Sequence, residues 1–510
     1  MGIAKKQSRI NSMGEKSLSQ VTKKSSEYNQ SLDSPQRMWA KELLDSTRAM
    51  WWWPDPELDE LQRRKPSPPV PLGSRDIEDY AIWLAHQHKI AKEIFVSNSP
   101  IRSIGNKDQY QLIREVTAKI AKQQQFFHWE LEFAEVFFPQ HSDNSNGGFS
   151  VMFGNPPFLG GSKISTHSSV ETANFIRKKY DGGAKADLIS YFVRQSFDYL
   201  RPEGVFGLVS TNALRSGESR LCGLYPILEL KQQPSQDSSD SQYYQAYVSD
   251  VSRNIEWSGD AAVTVDLLTI KKTDIKLNAK HPVAILDGKP VSTRISSRLN
   301  LRTDSNPMKL EFNQDISQRG VNPRGKFQIS REQHDIFIAS NPACKKVLKP
   351  WVSGDDINKD GSASKYIIDL NGLVEEEVRK YPQICDYVEQ HIKTYSDDLK
   401  DAKEYVRLKE RWWEWELTAP AITNWFENHD IIYAKSRHST RWIISEIPSG
   451  AILSEGTFSF FFDQLEYFVV LQSVLHEDWS REFGSTLGSE GHRYTNSCIL
   501  NFPFPTESTD

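Results

Sequence analysis

The sequence predicts an α/β fold, part of a parallel sheet followed by a separate domain of α+β character. Three observations predict it. Two short apolar runs, 149–153 and 205–210, read as buried strands. Between them, Leu188, Ile189, Phe192, Val193, Phe197 and Leu200 make one apolar face of a helix over 187–200. Strand, helix, strand is the rhythm of a parallel sheet. Beyond about residue 275 that rhythm gives way to short strands, Gly/Pro/Asn turns and helical stretches without βαβ alternation. With 38% hydrophobic and 25% charged residues over 510 positions, the chain can bury cores in about three domains. Wholly disordered, collagenous and disulfide-scaffold classes are excluded.

The elements follow in order. Residues 1–35 are rich in Ser, Lys, Gln and Asn and are expected to be a disordered tail; a basic arm touching phosphate is the alternative. Residues 36–125 read as a helical segment broken by a Pro-rich linker, Lys65-Pro66-Ser67-Pro68-Pro69-Val70-Pro71. Trp51, Trp52 and Trp53 are expected to anchor helix packing rather than stack on bases. His128, beside Trp129, is expected to be a hydrogen-bonded core histidine. Polar residues 230–250 are expected to loop out, and 254–257 and 262–270 to form an antiparallel hairpin on the sheet edge. A charged helix over 396–417 interleaves Lys400, Lys403, Arg407, Lys409 and Arg411 with Asp401, Glu404 and Glu410, the pattern of an ordinary surface helix. Trp412, Trp413 and Trp415 close it as core residues.

Composition narrows the function. A formal net charge of −5 gives no global sign of nucleic-acid binding, so any such site must be a local patch. No run approaches the roughly 20 apolar residues of a membrane helix. The basic N-terminus has no apolar run behind it, which argues against a secretory signal, and Lys6 stands where a myristoylation signal needs Ser or Thr. Cys222, Cys344, Cys385 and Cys498 lie far apart, which argues against a zinc cluster and for reduced thiols in a cytoplasm. No metal-ligand spacing and no convincing nuclease centre is found.

The segment that carries chemistry is Gly154-Asn155-Pro156-Pro157-Phe158, directly after the first strand. At the carboxyl end of a parallel strand, side chains face the crevice where α/β proteins bind ligands. Two prolines fix φ and remove two backbone donors. The Asn155 amide oxygen and the Pro156 carbonyl can both accept from an exocyclic NH2, and Phe158 can stack on a planar ring. Together they would present a planar amine or amide as a nucleophile. A proline turn with a buried Phe is the bland alternative, weakened by the strand before the motif and the helix–strand unit after it.

These residues carry a resemblance. Phe127-His128-Trp129-Glu130-Leu131-Glu132-Phe133, Gly147-Gly148-Phe149 and Gly154-Asn155-Pro156-Pro157-Phe158-Leu159-Gly160-Gly161 resemble adenine-specific DNA methyltransferases of bacteria, in the type IIG-like and phage-exclusion branch. Lys185-Ala186-Asp187-Leu188, the 201–212 segment, 255–261 and Asn501-Phe502-Pro503-Phe504-Pro505 extend the likeness over about 126–510. The resemblance implies transfer of a methyl from S-adenosylmethionine to adenine N6 in double-stranded DNA, within a restriction-modification or phage-defence system. It implies Asn155, Pro156, Pro157 and Phe158 as the catalytic loop, with Asn155 bordering the cofactor pocket. It implies that 126–275 is the C-terminal half of a Rossmann-like methyltransferase domain, a partial sheet, and that 276–510 is an α+β target-recognition domain. There Lys435-Ser436-Arg437-His438-Ser439-Thr440-Arg441 is either a DNA-contacting loop, through Lys435, Arg437 and Arg441, or a solvated one.

Two departures stand out. Ser150 replaces the Asp usual after the Gly-Gly-Phe pattern. Before Gly147 the only glycines are Gly2, Gly14, Gly73 and Gly105, with no Gly-x-Gly, so the glycine loop for S-adenosylmethionine is missing. The chain is therefore expected to be the C-terminal part of a longer enzyme or one piece of a split one, with an upstream chain carrying the other half. Two further readings stay open: a non-catalytic DNA-binding remnant, and a methyltransferase acting on a protein glutamine.

Overall fold

The structure is a computed structural model, and it describes residues 2–53, 75–91, 107–139, 147–232, 242–257, 264–276, 281–302, 304, 306–393, 406–487 and 491–505. The chain divides into two compact units, residues 1–256 with 265–304, and residues 257–264 with 305–510. The boundary expected at 275/276 falls instead at 304/305, because two further strands join the first sheet.

The first unit opens with helices α1 (Gly2–Asn11), α2 (Leu18–Leu32) and α3 (Pro35–Ala49). The expectation of a disordered tail over 1–35 is thus corrected. Ile10 and Ala4 of α1 are buried, and the Ser17 hydroxyl caps α2 by accepting from the Gln20 amide. Helices α4 (Arg75–Gln87) and α5 (Lys107–Gln124) share a core of Tyr80, Trp83, Leu84 and Ile113. The Pro-rich linker lies outside the described residues. Trp51 and Trp52 pack on Phe175 at 5.5 and 5.3 Å, so the triplet anchors helix α6 (Val170–Tyr180), as expected. His128 is buried and its Nε2 lies 2.7 Å from Asp45 Oδ1, as expected.

The sheet of this unit contains β1 (Phe149–Gly154), β2 (Leu200–Thr211), β3 (Leu230–Gln232), β4 (Gln242–Glu256), β5 (Thr264–Lys276), β6 (Ala284–Leu286) and β7 (Lys289–Val291). Its order is β1-β2-β5-β4-β6-β7, with β3 beside β4. Strands β1 and β2 run parallel, Val151 opposite Val205 and Gly154 opposite Leu208, and helix α7 (Leu188–Tyr199) connects to β2 directly. This is the expected strand–helix–strand unit. Beyond it the sheet is mixed: β2 and β5 are antiparallel, β4 and β6 parallel. Two expectations fail here. Residues 242–250 are strand rather than loop, and the hairpin sits inside the sheet, with β5 against β2.

Ile189, Val193 and Phe197 of α7 pack on Phe206, Leu208, Leu268 and Ile270, which fill one face of the sheet. The other face is different. Val151, Phe153, Val209 and Leu267 share it by register, and Phe153 is 88% exposed, Val151 63% and Leu267 44%. The expectation that β1 is buried is therefore corrected: no residue of β1 is buried. The cause is position. Strand β1 ends the sheet, and among the described residues nothing pairs with its outer edge or covers that face. Besides its ladder with β2 and the packing of Met152 on the core, β1 is held at its first residue: Phe149 meets Trp129, Phe133 and Phe137 at 5.3–5.8 Å between ring centroids. Gly148, at φ +142°, admits this approach, since a Cβ there would lie 2.5 Å from the Arg201 nitrogen.

The second unit is built on three small sheets. One has β8 (Ser317–Arg319), β12 (Ile431–Ser436), β14 (Ile444–Pro448) and β16 (Thr457–Phe460), in the order β14-β12-β16-β8. A second has β9 (Gln328–Ile329), β10 (Leu348–Val352), β11 (Lys365–Ile368) and β15 (Ile452–Leu453). The third has β13 (His438–Ser439), β17 (Ser485–Leu487) and β18 (Gly491–Arg493). The α+β expectation agrees with this mixture. Trp412, Trp413 and Trp415 are buried, and the indoles of Trp413 and Trp415 donate to the carbonyls of Leu373 and Ile368 at 3.1 Å. Of the charged helix expected before them, only Val406–Glu410 falls within the described residues as helix. The four cysteines are buried free thiols. Among the described residues no helix is long and apolar enough to cross a membrane, and no His/Cys/Asp/Glu group could hold a metal.

Candidate active site at the end of the first strand

Strand β1 stops at Gly154 because two prolines follow it, and neither can donate to a ladder. Asn155, Pro157 and Phe158 are exposed and Pro156 is buried. Asn155 makes no side-chain hydrogen bond within the protein among the described residues, so its amide is available to a ligand. Phe158, 40% exposed, offers a ring face from the same loop.

The far end of the loop is fixed from several sides. The Leu188 amide donates to the Leu159 carbonyl at 2.9 Å, and the Lys163 amide to the Gly160 carbonyl at 2.8 Å. The Gly161 amide donates to Asp187 Oδ1 at 3.1 Å, while Arg177 Nη2 donates to the Gly161 carbonyl at 3.1 Å. Asp187 precedes α7, and its own amide donates to Ser219 Oγ at 3.0 Å in helix α8 (Gly217–Cys222). Burial pushes the Asp187 carboxyl above its ordinary range, and the Gly161 amide partly opposes that. The arrangement is a pinned base with a free tip. Asn155 and Phe158 sit on the tip, beside the carboxyl ends of two parallel strands.

Beside it, the carboxyl end of β2 carries a buried ion pair. Arg215 Nε lies 3.0 Å from Asp266 Oδ2, and Arg215 also donates to Asn254 Oδ1 at 2.7 Å. Burial raises the Asp266 carboxyl and lowers the Arg215 guanidinium, the behaviour of a structural pair. In the sequence, Asp187 stands out only within the resemblance, and Arg177 carries no local signal of its role. The signal was the Gly160-Gly161 pair, whose carbonyls and amides need partners from elsewhere in the chain.

In the second unit, the three basic residues singled out by sequence part ways. Lys435 is 1% exposed. Its Nζ lies 3.9 Å from the Trp442 ring centroid and 6.0 Å from that of Tyr494. It is a core residue, and its assignment to DNA contact is corrected: on β12 it points inward, where burial drives its ammonium down to about 8. Arg437 is half-exposed, between β12 and β13, and Arg441 is exposed.

Residues 74–221 match the Eco57I restriction-modification methylase family. That segment contains the whole Asn155–Phe158 loop, its Asp187 and Arg177 anchors, and the β1–α7–β2 unit. Among solved structures, the chain is similar in fold to the Type IIL restriction-modification enzyme MmeI, described in complex with DNA. The identity is 17%, the TM-score 0.57, and the overlap covers 84% of this chain and 61% of that one. The chain thus spans about three fifths of the length of that enzyme. The type IIG restriction endonuclease BpuSI matches at 12% identity and a TM-score of 0.26, over 70% of this chain and 47% of that one. A DrdV–DNA complex matches at 11% and 0.31, over 68% and 37%. No curated protein matches the sequence.

Proposed function

We propose that this chain is the base-presenting and target-recognition part of a DNA adenine-N6 methyltransferase of a restriction-modification or phage-defence system. The observation that carries the reading is the exposure of Asn155 and Phe158, with the Asn155 side chain unengaged, on a loop pinned through Leu159, Gly160 and Gly161 at the end of a parallel strand. The family match over the same residues supports it. The Rossmann-like assignment of the sheet, and the roles of Pro156, Pro157, Arg437 and Arg441, belong to the same proposal.

The chemistry asked of the chain is presentation. An adenine must leave the duplex to expose N6, at a cost of a few kcal/mol. Phe158 stacks on the flipped ring and offsets part of that cost. The Asn155 amide oxygen and the Pro156 carbonyl accept from N6–H and hold its lone pair toward the methyl donor. The residues present do not by themselves fit S-adenosylmethionine, which supplies the methyl group. Upstream of the Gly147-Gly148 pair that leads into β1 the sequence has no Gly-x-Gly turn, and among the described residues the outer edge and one face of β1 lie open. Methyl transfer is therefore assigned to an enzyme completed by an upstream chain, and the open flank of β1 is the place such a chain would join. The same observation favours a second reading, a DNA-binding remnant without catalysis.

The two separate in cells that express this chain with its upstream partner. Genomic N6-methyladenine is expected with the wild-type loop and is lost with Asn155→Ala, while DNA binding persists. Methylation by Asn155→Ala at the wild-type level would remove this loop as the active site; no methylation by either would leave the remnant.

A further inference from the structure

Arg437 occupies a special place in the second unit. It links β12 to β13, and its backbone is held on both sides: its amide donates to the Gly456 carbonyl, and its carbonyl accepts from the Tyr494 amide, both at 2.8 Å. Its side chain therefore starts from a rigid point. Two other arginines come to the same place from distant parts of the sequence. Arg319 ends β8, opposite Phe458 of β16, and Phe458 is in turn opposite Lys435. Arg493 ends β18 and pairs with His438. His438 itself is fixed by its carbonyl, which accepts from Ser436 Oγ at 2.8 Å and from Asn358 Nδ2 at 3.2 Å.

The charges do not cancel. Glu455 is the carboxylate that answers them, and it is engaged with Arg319 at 3.2 Å. Among the described residues, the side chains of Arg437 and Arg493 have no carboxylate partner, and Arg493 Nε is buried without any hydrogen-bond partner. The mutual presence of these arginines pushes the Arg437 guanidinium and the His438 imidazole below their ordinary ranges, after burial as the first cause. Partly desolvated like charges with unmet donors raise the free energy of the fold unless an anion joins them. The guanidinium fork matches a phosphate in shape and charge.

We infer that Arg319, Arg437 and Arg493, with His438 at the rim, form a binding site for a phosphodiester group of the DNA backbone. This rests on the DNA-binding reading above and replaces Lys435 with two arginines that sequence did not single out. Such a contact fixes the register of the recognition unit on the duplex and reads no base.

The full chain and a labelled duplex, titrated by fluorescence anisotropy between about 50 and 200 mM salt, test it. Arg437→Gln and Arg493→Gln are each expected to weaken binding several-fold and to lower the slope of log affinity against log salt by about one. Glu455→Gln removes the opposing charge and is expected to tighten binding, an effect that a misfolded variant would not show. Wild-type binding with unchanged affinity and slope in all three variants would overturn the site and leave the DNA reading intact. If the wild type binds no duplex, inorganic pyrophosphate is the probe, read by thermal shift. Stabilisation of the wild type but not of Arg437→Gln or Arg493→Gln would keep the anion site and defeat the DNA reading. No response to either ligand would overturn the inference.

Discussion

Space for one hydrogen is all that Gly161 has. A Cβ on it would meet the Lys185 carbonyl carbon at 2.5 Å and the Ala186 oxygen at 2.6 Å, both backbone. Gly161→Ala is expected to destabilise the first unit by about 1–3 kcal/mol and to displace the Asn155 loop. Urea melts of the purified chain read the first effect, and a wild-type midpoint would show that the loop base is not pinned. Lys435 makes the opposite kind of prediction. Its ammonium is lowered to about 8 by burial, so the folded state sheds a proton that the unfolded state keeps up to its ordinary, higher pKa. Below both values the burial cost stands in full, and it fades as pH rises through the window between them. Lys435→Met is therefore expected to stabilise the protein at pH 7 by roughly 1–3 kcal/mol. That advantage over wild type should shrink between about pH 7.5 and 9.5. Denaturant melts at those two pH values check it. An advantage that grows with pH would contradict the burial of a charged amine.

At the scale of elements, the β1–α7–β2 unit was legible because its period and its breakers agree. Apolar runs of strand length are bounded by Gly154-Asn155-Pro156-Pro157 and by Arg201-Pro202-Glu203-Gly204, with a helix-period stripe between. The burial of β1 was not legible. An apolar run reports that a residue prefers burial, and whether a partner strand exists to bury it is a property of the sheet. The helices over 2–32 were missed because mean polarity hid their few core residues, Ala4 and Ile10 among them. Of the candidate site, the tip was readable as a local motif. Asp187, Arg177, Arg319 and Arg493 were not, since each reaches its place through tertiary contacts over long sequence separations. The exposed face yields its own prediction. Phe153→Ser is expected to change the stability of the isolated chain by no more than about 0.5 kcal/mol, because the ring is already in water. The same change is expected to weaken capture of an upstream partner in a co-purification assay. A large loss of stability in the isolated chain would mean that the face is covered after all.

For the whole molecule, under the proposed function, one unit would present a base, the other would grip DNA, and the methyl donor would be held by another chain. Calorimetry on the purified chain is accordingly expected to detect little or no S-adenosylmethionine binding, and tight binding would overturn the split. The flank of β1, bare among the described residues, would also have a cellular consequence. An end strand with free amides and carbonyls and two apolar side chains in water is a template for any other extended segment. The strand is only six residues long, its register shifts between Phe149 and Val151, and Pro156 and Pro157 block its extension, so the template is short. Synthesised without a companion, the chain would be drawn into aggregates or handed to proteases, while one made alongside a strand that seals this flank would persist. Its abundance in the cell would then follow that of its companion, an accounting of subunits enforced by quality control rather than by gene expression.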